Sequence, residues 1–328
     1  MNQILLAAVT VIVGVAGCIA YFWLSNLALD KMFPPRGTDA ARNLRRSGRI
    51  RPWLFLAPAI LFLGVYLVYP VFASLWLAVS RGGEFAGVEN FVWLVNDPKF
   101  RESLLNNLLW LIFVPTMATL VGLIAAQLTD NIKWGALAKS LIFMPMAISF
   151  VGAAVIWKFI YEFRAEELAQ IGLLNAIVTG AGFAPQAWLT LPVWNTFFLM
   201  IIMVWMQAGF AMVLLSAALR GIPEETIEAA ILDGASPWKV FWRIQVPQIH
   251  GTIAVVWTTI TIMVLKIFDI VFAITNGQWG TQVLANMMYD WSFRAGDFNR
   301  GATIAIVIMI AVLPIMIWNI RNAQRERD

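Results

Sequence analysis

Seven stretches of this chain stay apolar for about twenty residues or more, at roughly 4–28, 53–79, 104–128, 140–161, 195–218, 251–274 and 300–320. A helix rising 1.5 Å per residue crosses about 30 Å of hydrocarbon in that length. Inside hydrocarbon each backbone N–H and C=O must be satisfied within the protein, so continuous apolar runs of this size become helices. The expected fold is therefore an all-α polytopic membrane protein with about seven transmembrane helices. Composition agrees, since only 13% of the 328 residues are charged, about half the share of a soluble domain. Prolines lie inside several runs (Pro58, Pro70, Pro115, Pro145, Pro314). They suit a packed bundle in which neighbouring helices or water take up the freed carbonyls.

Basic residues orient the spans. The segment between the first two spans carries Lys31, Arg36, Arg42, Arg45, Arg46, Arg49 and Arg51. Lys133, Lys139, Arg220, Lys239, Arg243, Arg321, Arg325 and Arg327 fall on the same side, which makes fifteen against six on the other. The expected arrangement has the N-terminus outside and the C-terminus in the cytoplasm. It separates an N-terminal helix and basic cytoplasmic loop, 1–52, from a core, 53–328.

Several chemistries are excluded by what the sequence lacks. One cysteine, Cys18, and one histidine, His250, offer neither a disulfide nor a zinc site. There is no G-x-x-x-x-G-K-[ST] loop for nucleotide phosphates, so ATP energy would have to come from another polypeptide. A net charge of +4 does not suggest nucleic-acid binding. "VAGC", Val15 to Cys18, looks like a lipoprotein cleavage site. The start has no basic region and the apolar run continues past the cysteine, so a retained helix is expected.

The most informative stretch is polar and cytoplasmic, between the fifth and sixth spans. "GIPEETIEAAILDG" reads as a short helix, with Pro223 at its first position, Glu224 and Glu225 facing the positive end of the dipole, and Gly234 as a left-handed terminator. "ASPWKVFWRI" opens a second helix, with Ser236 as N-cap and Pro237 in the first turn. Pro247 is expected to break regular structure before the next span. Ile227, Ala230 and Ile231 share a face, with Glu228 and Ala229 beside it. A compact helix of this kind can enter a groove on a partner. Trp238, Phe241 and Trp242 are expected to pack beneath the bundle. On spacing alone, a loop that merely joins two spans explains the segment equally well.

Glu228-Ala229-Ala230, three residues, Gly234, nine residues, then Ile244-Gln245-Val246-Pro247 resembles the EAA signature of permease subunits of binding-protein-dependent ABC importers. Val246 stands where the signature has leucine. The likeness runs from about residue 53 to the C-terminus and narrows to carbohydrate-uptake permeases of the maltose type. It rests on "ENFVWLVNDPKFRESLLNNLLW" (89–110), "SLIFMPMAISFVGAAVIWKFIY" (140–161), "GLLNAIV" (172–178) and "KIFDIVFAITNGQWGTQVLANMMYDWSF" (266–293). After "TNG" the family commonly has glycine-proline. Gln278-Trp279-Gly280-Thr281 stands there instead, a variant most like alpha-glucoside importer permeases.

The resemblance implies a subunit of the bacterial cytoplasmic (inner) membrane that forms half of a sugar pathway. It implies a second, non-identical permease, an ABC ATPase dimer at the EAA coupling loop, an extracytoplasmic sugar-binding protein, and surrounding membrane lipid. The chain itself would hold no cofactor and no catalytic residue, because ATP and Mg²⁺ belong to the partner ATPase. Glu228, Ala229, Ala230, Gly234, Ile244 and Pro247 would couple ATP hydrolysis to the bundle.

Polar residues within spans are candidates for the pathway. These are Asn106, Asn107, Gln127, Asn195 and Gln207, with Lys266 and Asp269 three apart as a local ion pair. Lys158 could reach toward Glu162. A sugar asks for amide hydrogen bonds and aromatic faces, which Trp157, Tyr161, Trp205 and Gln207 offer by type. Two alternatives stay open. One is a permease of the same fold for a polyol or glycerol phosphate. The other is an ion-coupled secondary transporter, for which Asp269 is the only candidate intramembrane carboxylate.

Overall fold

The computed structural model describes residues 2–34, 39–130 and 132–325 and divides into two compact units, 1–73 and 74–328. Arg36 and Arg327 of the charge count lie outside the described residues.

In the first unit, α1 (Asn2–Met32) and α2 (Ala40–Leu63) form a helical hairpin. The Tyr21 hydroxyl donates to the Leu54 carbonyl at 2.7 Å, Phe22 meets Phe55 edge to face, and Arg51 pairs with Asp30 at 3.0 Å. A wide π turn follows at Gly64–Val68, and helix resumes as α3 (Tyr69–Ala78), through which the unit boundary passes. Pro70 sits just past that turn. Without an N–H, and with a ring that crowds the carbonyl four residues back, it forces the widening.

The second unit begins with a two-residue hairpin, β1 (Ser80–Arg81) and β2 (Glu84–Phe85), in the register Ser80 to Phe85. Next come α4 (Glu89–Asn96), α5 (Pro98–Asp130) and α6 (Gly135–Phe143), then α7 (Phe150–Ile160), α8 (Leu173–Gly180) and α9 (Trp194–Arg220). The cytoplasm-assigned stretch forms α10 (Glu224–Leu232), α11 (Pro237–Val240) and α12 (Val246–Gln248). The chain ends through α13 (His250–Leu265), α14 (Asp269–Ile274), α15 (Leu284–Tyr289) and α16 (Phe298–Arg325).

The core forms where α5 and α9 cross. The buried stripe of α5 reads Asn107, Trp110, Val114, Ala118, Gly122 and Ala126, at helical spacing and with small residues over its second half. A Cβ on Gly122 would lie 2.5 Å from that of Ala211 and 2.8 Å from the Met212 nitrogen. Only glycine permits this approach, the small-residue contact by which helices associate in lipid. Gly209 on the same helix abuts the Ile142 carbonyl of α6, where a Cβ would come within 2.4 Å. Val256, Ile260 and Val264 of α13 complete the core.

Among the described residues four helices are long and apolar enough to cross a membrane: Leu5–Met32, Ala40–Ala78, Pro98–Asp130 and Trp194–Arg220. The expected straight span 140–161 is instead broken. Gly135–Ala147 and Phe150–Ile160 meet at 106°. Pro145 lies in the 3₁₀ turn after α6, and Ser149 caps α7 by accepting the Gly152 N–H at 3.1 Å. A 72° bend separates Pro237–Gln248 from His250–Leu265 just ahead of the sixth run, and that run is itself broken before Asp269. The last run supplies a shorter apolar helix, Phe298–Pro314.

Candidate functional site

The segment from Gly221 to Ile249 is an elbow of short helices. Its hinge is a Schellman motif, because the Gly234 N–H donates to the Ile231 carbonyl and the Ala235 N–H to the Ala230 carbonyl, both at 3.0 Å. Gly234 has φ +79°, a left-handed conformation that costs glycine nothing. Pro223 is the N-cap of α10, one position before the expected first turn. Ser236 flanks α11 in extended conformation, with Pro237 at its start.

Pro247 acts upstream of where it was expected to. It lies within α12, and the wide π turn at Phe241–Gln245 precedes it as the one at Gly64–Val68 precedes Pro70. The bend itself falls at Ile249. Ile244 is half-buried and Pro247 exposed.

The elbow's surface differs from the expected face. Ala230 is buried and Ile227 half-buried, whereas Glu225, Glu228, Ala229 and Leu232 are exposed at i, i+3, i+4 and i+7. Leu232 is 87% exposed. Of the expected face Ile227 and Ala230 turn inward, Ile231 stays exposed with Glu228 and Ala229, and Leu232 was not singled out from the sequence. Its signal was present, four residues beyond Glu228. Phe241 and Trp242 pack against the core. Trp238 does not: it meets Trp242 edge to face at 5.6 Å and stays 72% exposed.

Immediately before the elbow, one carboxylate joins three helix ends. Asp130, last in α5, accepts from Arg220 of α9 through Nε at 3.0 Å and Nη2 at 2.6 Å. It also accepts from Ser216 Oγ at 2.9 Å and from Lys139 Nζ of α6. Among the described residues of the second unit, Asp130 with Arg220 is the only ion pair linking distant parts of the chain. A carboxylate at a helix C-terminus opposes the dipole, and two cations offset that.

A recess of about 550 Å³ opens at the two helix breaks, lined by Ile148, Ser149, Met203, Gln207, Lys266 and Asp269. Gln207 is buried, and its Oε1 has no hydrogen-bond partner among the described residues. A buried acceptor left open is costly, so a polar visitor would be welcome there. Lys266 and Asp269 are not on one helix: α13 ends at Leu265 and α14 begins at Asp269. No ion pair joins the two among the described residues, which corrects the expected local pair. Glu162 pairs with Arg164 at 4.0 Å instead of with Lys158.

Of the four expected pathway residues only Gln207 lines the recess. Trp157, Tyr161 and Trp205 do meet, with ring centroids 5.2 and 5.7 Å apart, but as a packing cluster. Tyr161 is 2% exposed and its hydroxyl donates to the Phe198 carbonyl.

Three of the asparagines expected within spans serve the connector between α14 and α15. Asn106 Nδ2 donates to the Gly280 and Gln282 carbonyls at 2.8 and 2.9 Å. Asn195 Nδ2 donates to the Trp279 carbonyl at 2.7 Å, and Asn107 Oδ1 accepts the Leu284 N–H at 2.9 Å. These amides hold a loop in which Asn276, Gly277, Trp279 and Gly280 all have positive φ.

The elbow, the broken spans and the recess all fall within one matched region of the chain. Residues 118–323 match the family described as "Binding-protein-dependent transport system inner membrane component". The chain belongs to this family. It is an inner-membrane permease component of an ABC importer. It is 65% identical over 332 residues to the alpha-glucoside transport system permease protein AglF of Rhizobium meliloti (strain 1021), covering 99% of each chain. It is 48% identical to the osmoprotective compounds uptake permease protein GgtC of Synechocystis sp., over 83% of this chain and 99% of that one. Its fold matches a chain in the crystal structure of a bacterial ABC transporter that imports the acidic polysaccharide alginate. The TM-score is 0.71 at 20% identity, over 86% of this chain and 98% of that one.

Proposed function

We propose that this permease forms half of the pathway of an ATP-driven importer for alpha-glucosides. A separate ATPase dimer would dock on α10, a second, non-identical permease would complete the pathway, and an extracytoplasmic binding protein would deliver the sugar. ATP and Mg²⁺ are bound by the ATPase. The N-terminus lies outside and the C-terminus in the cytoplasm, with 1–52 an N-terminal helix and basic loop and 53–328 the transport core. The observation that carries the substrate is the 65% identity to AglF along essentially the whole chain.

The exposed stripe of Glu225, Glu228, Ala229 and Leu232 supports docking at the elbow. Closure of the ATPase dimer would carry Glu228 and Ala229, with Ala230 and Gly234 holding the helix end and Ile244 and Pro247 leading into α13. Force passes to the bundle because the ATPase binds the elbow differently in its two states, and only such a difference shifts an equilibrium. Gln207 would take a sugar hydroxyl in the recess, while Trp157, Tyr161 and Trp205 would contribute to the pathway only as packing of the bundle.

The test is uptake of labelled alpha-glucosides by vesicles containing the full complex. ATP-dependent uptake that disappears without the binding protein supports the proposal, and uptake driven by an ion gradient alone refutes it. A second reading, an osmoprotective solute, draws on the 48% identity to GgtC. Competition by polyol glycosides in the same assay separates the two.

A further inference from the structure

The first unit carries a charged surface that the import mechanism leaves unused. Arg42, Arg45, Arg46 and Arg49 of α2 are exposed and gather around one recess of about 440 Å³. None of the four forms an ion pair among the described residues, whereas Arg51 is matched by Asp30. A different side of α2, about a quarter-turn or more away, is the one occupied by α1. There Asn43 donates to the Pro34 carbonyl, Ser47 is buried, and the Leu54 carbonyl accepts from Tyr21.

The arginine stripe continues along the same helix to an apolar marker. Arg42, Arg46, Arg49 and Trp53 follow one another at steps of four, three and four residues, which keeps them on one face. Trp53 is exposed on it. Tryptophan settles at the level of lipid headgroups. Arg49 lies about 6 Å further along the axis and Arg46 about 10 Å, with side chains long enough to reach back. Arg46 and Arg49 therefore stand within reach of the phosphate layer, with Arg42 and Arg45 beyond them around the same recess and none of the four paired among the described residues.

We propose that this stripe is a binding site for anionic phospholipid headgroups, with the lipid phosphate held by Arg46 and Arg49 and the negative headgroup satisfied by Arg42 and Arg45. Arginine suits phosphate because its planar fork gives two parallel hydrogen bonds. A zwitterionic headgroup brings its own cation to the same place and is disfavoured. In the orientation proposed above the site faces the cytoplasmic leaflet, but the lipid preference itself does not depend on that reading or on the importer's substrate.

The experiment places the full chain in nanodiscs of equal phosphatidylglycerol and phosphatidylcholine and measures the lipid retained after delipidation by mass spectrometry. Wild type should retain phosphatidylglycerol preferentially, by about fivefold for each arginine that reaches the phosphates. Replacing all four arginines by glutamine should abolish the preference, and replacing them by lysine should keep most of it. Removal of four cations can also invert the hairpin, so the Arg42→Gln/Arg46→Gln variant is measured as well, with its topology checked by cysteine labelling. It should lose part of the enrichment with topology unchanged. Equal retention of the two lipids by wild type, or undiminished preference in the four-glutamine variant, overturns the proposal. So does loss of ATPase co-purification in that variant without any lipid preference in wild type, which would assign the stripe to a protein surface.

Discussion

The two connectors on either side of the α13–α14 pair solve opposite problems. The one between α14 and α15 is a left-handed loop tied by Asn106, Asn107 and Asn195 to helices more than eighty residues away in sequence. The elbow packs on the core through Phe241 and Trp242, but α10 is held chiefly by its own Schellman hinge and presents Leu232 almost bare. A loop whose amides satisfy its carbonyls holds its shape without help. A helix with an exposed leucine between carboxylates is complete only against a partner. On the proposed function, the rigid end would belong to the wall of the pathway and the unfinished end to the motor.

That contrast is open to attack by substitution. Glu228→Lys with Gly234→Pro should reduce uptake to background while the protein still inserts, since proline cannot adopt the φ of +79° at the hinge. Uptake assays paired with membrane fractionation check it. Leu232→Ser should weaken ATPase association by about 1.5–3 kcal/mol, the value of burying a leucine. The isolated permease should change by no more than about 0.5 kcal/mol. Co-purification and thermal unfolding read the two arms.

Asn195→Ala should do the reverse. Leaving the Trp279 carbonyl unpaired costs about 1–3 kcal/mol of stability and speeds proteolysis at the α14–α15 loop, while ATPase binding is retained. The smallest effect is expected from Asp130→Asn. Arg220 is largely exposed, so the loss is screened to about 1 kcal/mol in thermal unfolding.

How far each region could be read in advance follows from the range of its interactions. The elbow was legible because its capping is local: Pro223, Gly234, Ser236 and Pro237 act within a few residues of themselves. Its outward face was misjudged because apolar spacing does not say which side meets the bundle, and Ala230 turned inward. The α14–α15 connector was illegible as a structure. Asn106 and Asn195 looked like pathway amides, and their partners are backbone carbonyls that only the fold brings near.

The break in 140–161 was hidden for another reason. Hydropathy counts side chains and ignores the N–H that Pro145 lacks and the cap that Ser149 supplies. The four-helix count by length and composition thus falls short of the seven apolar runs, with two bent pairs and one short helix making up the difference. Asp130 stood in plain view as a lone acid ending an apolar run, but its partner Arg220 is ninety residues on.

Docking at the elbow is tested most directly by a cysteine at Ala229 in a background where Cys18, the only native cysteine, is replaced by serine. In sealed cells bearing the whole importer, that cysteine should resist impermeant thiol reagents added outside and should crosslink to the ATPase, with a yield that changes when ATP is bound. Labelling from the outside, or an inserted complex in which Ala229→Cys never crosslinks to the ATPase, would contradict the account.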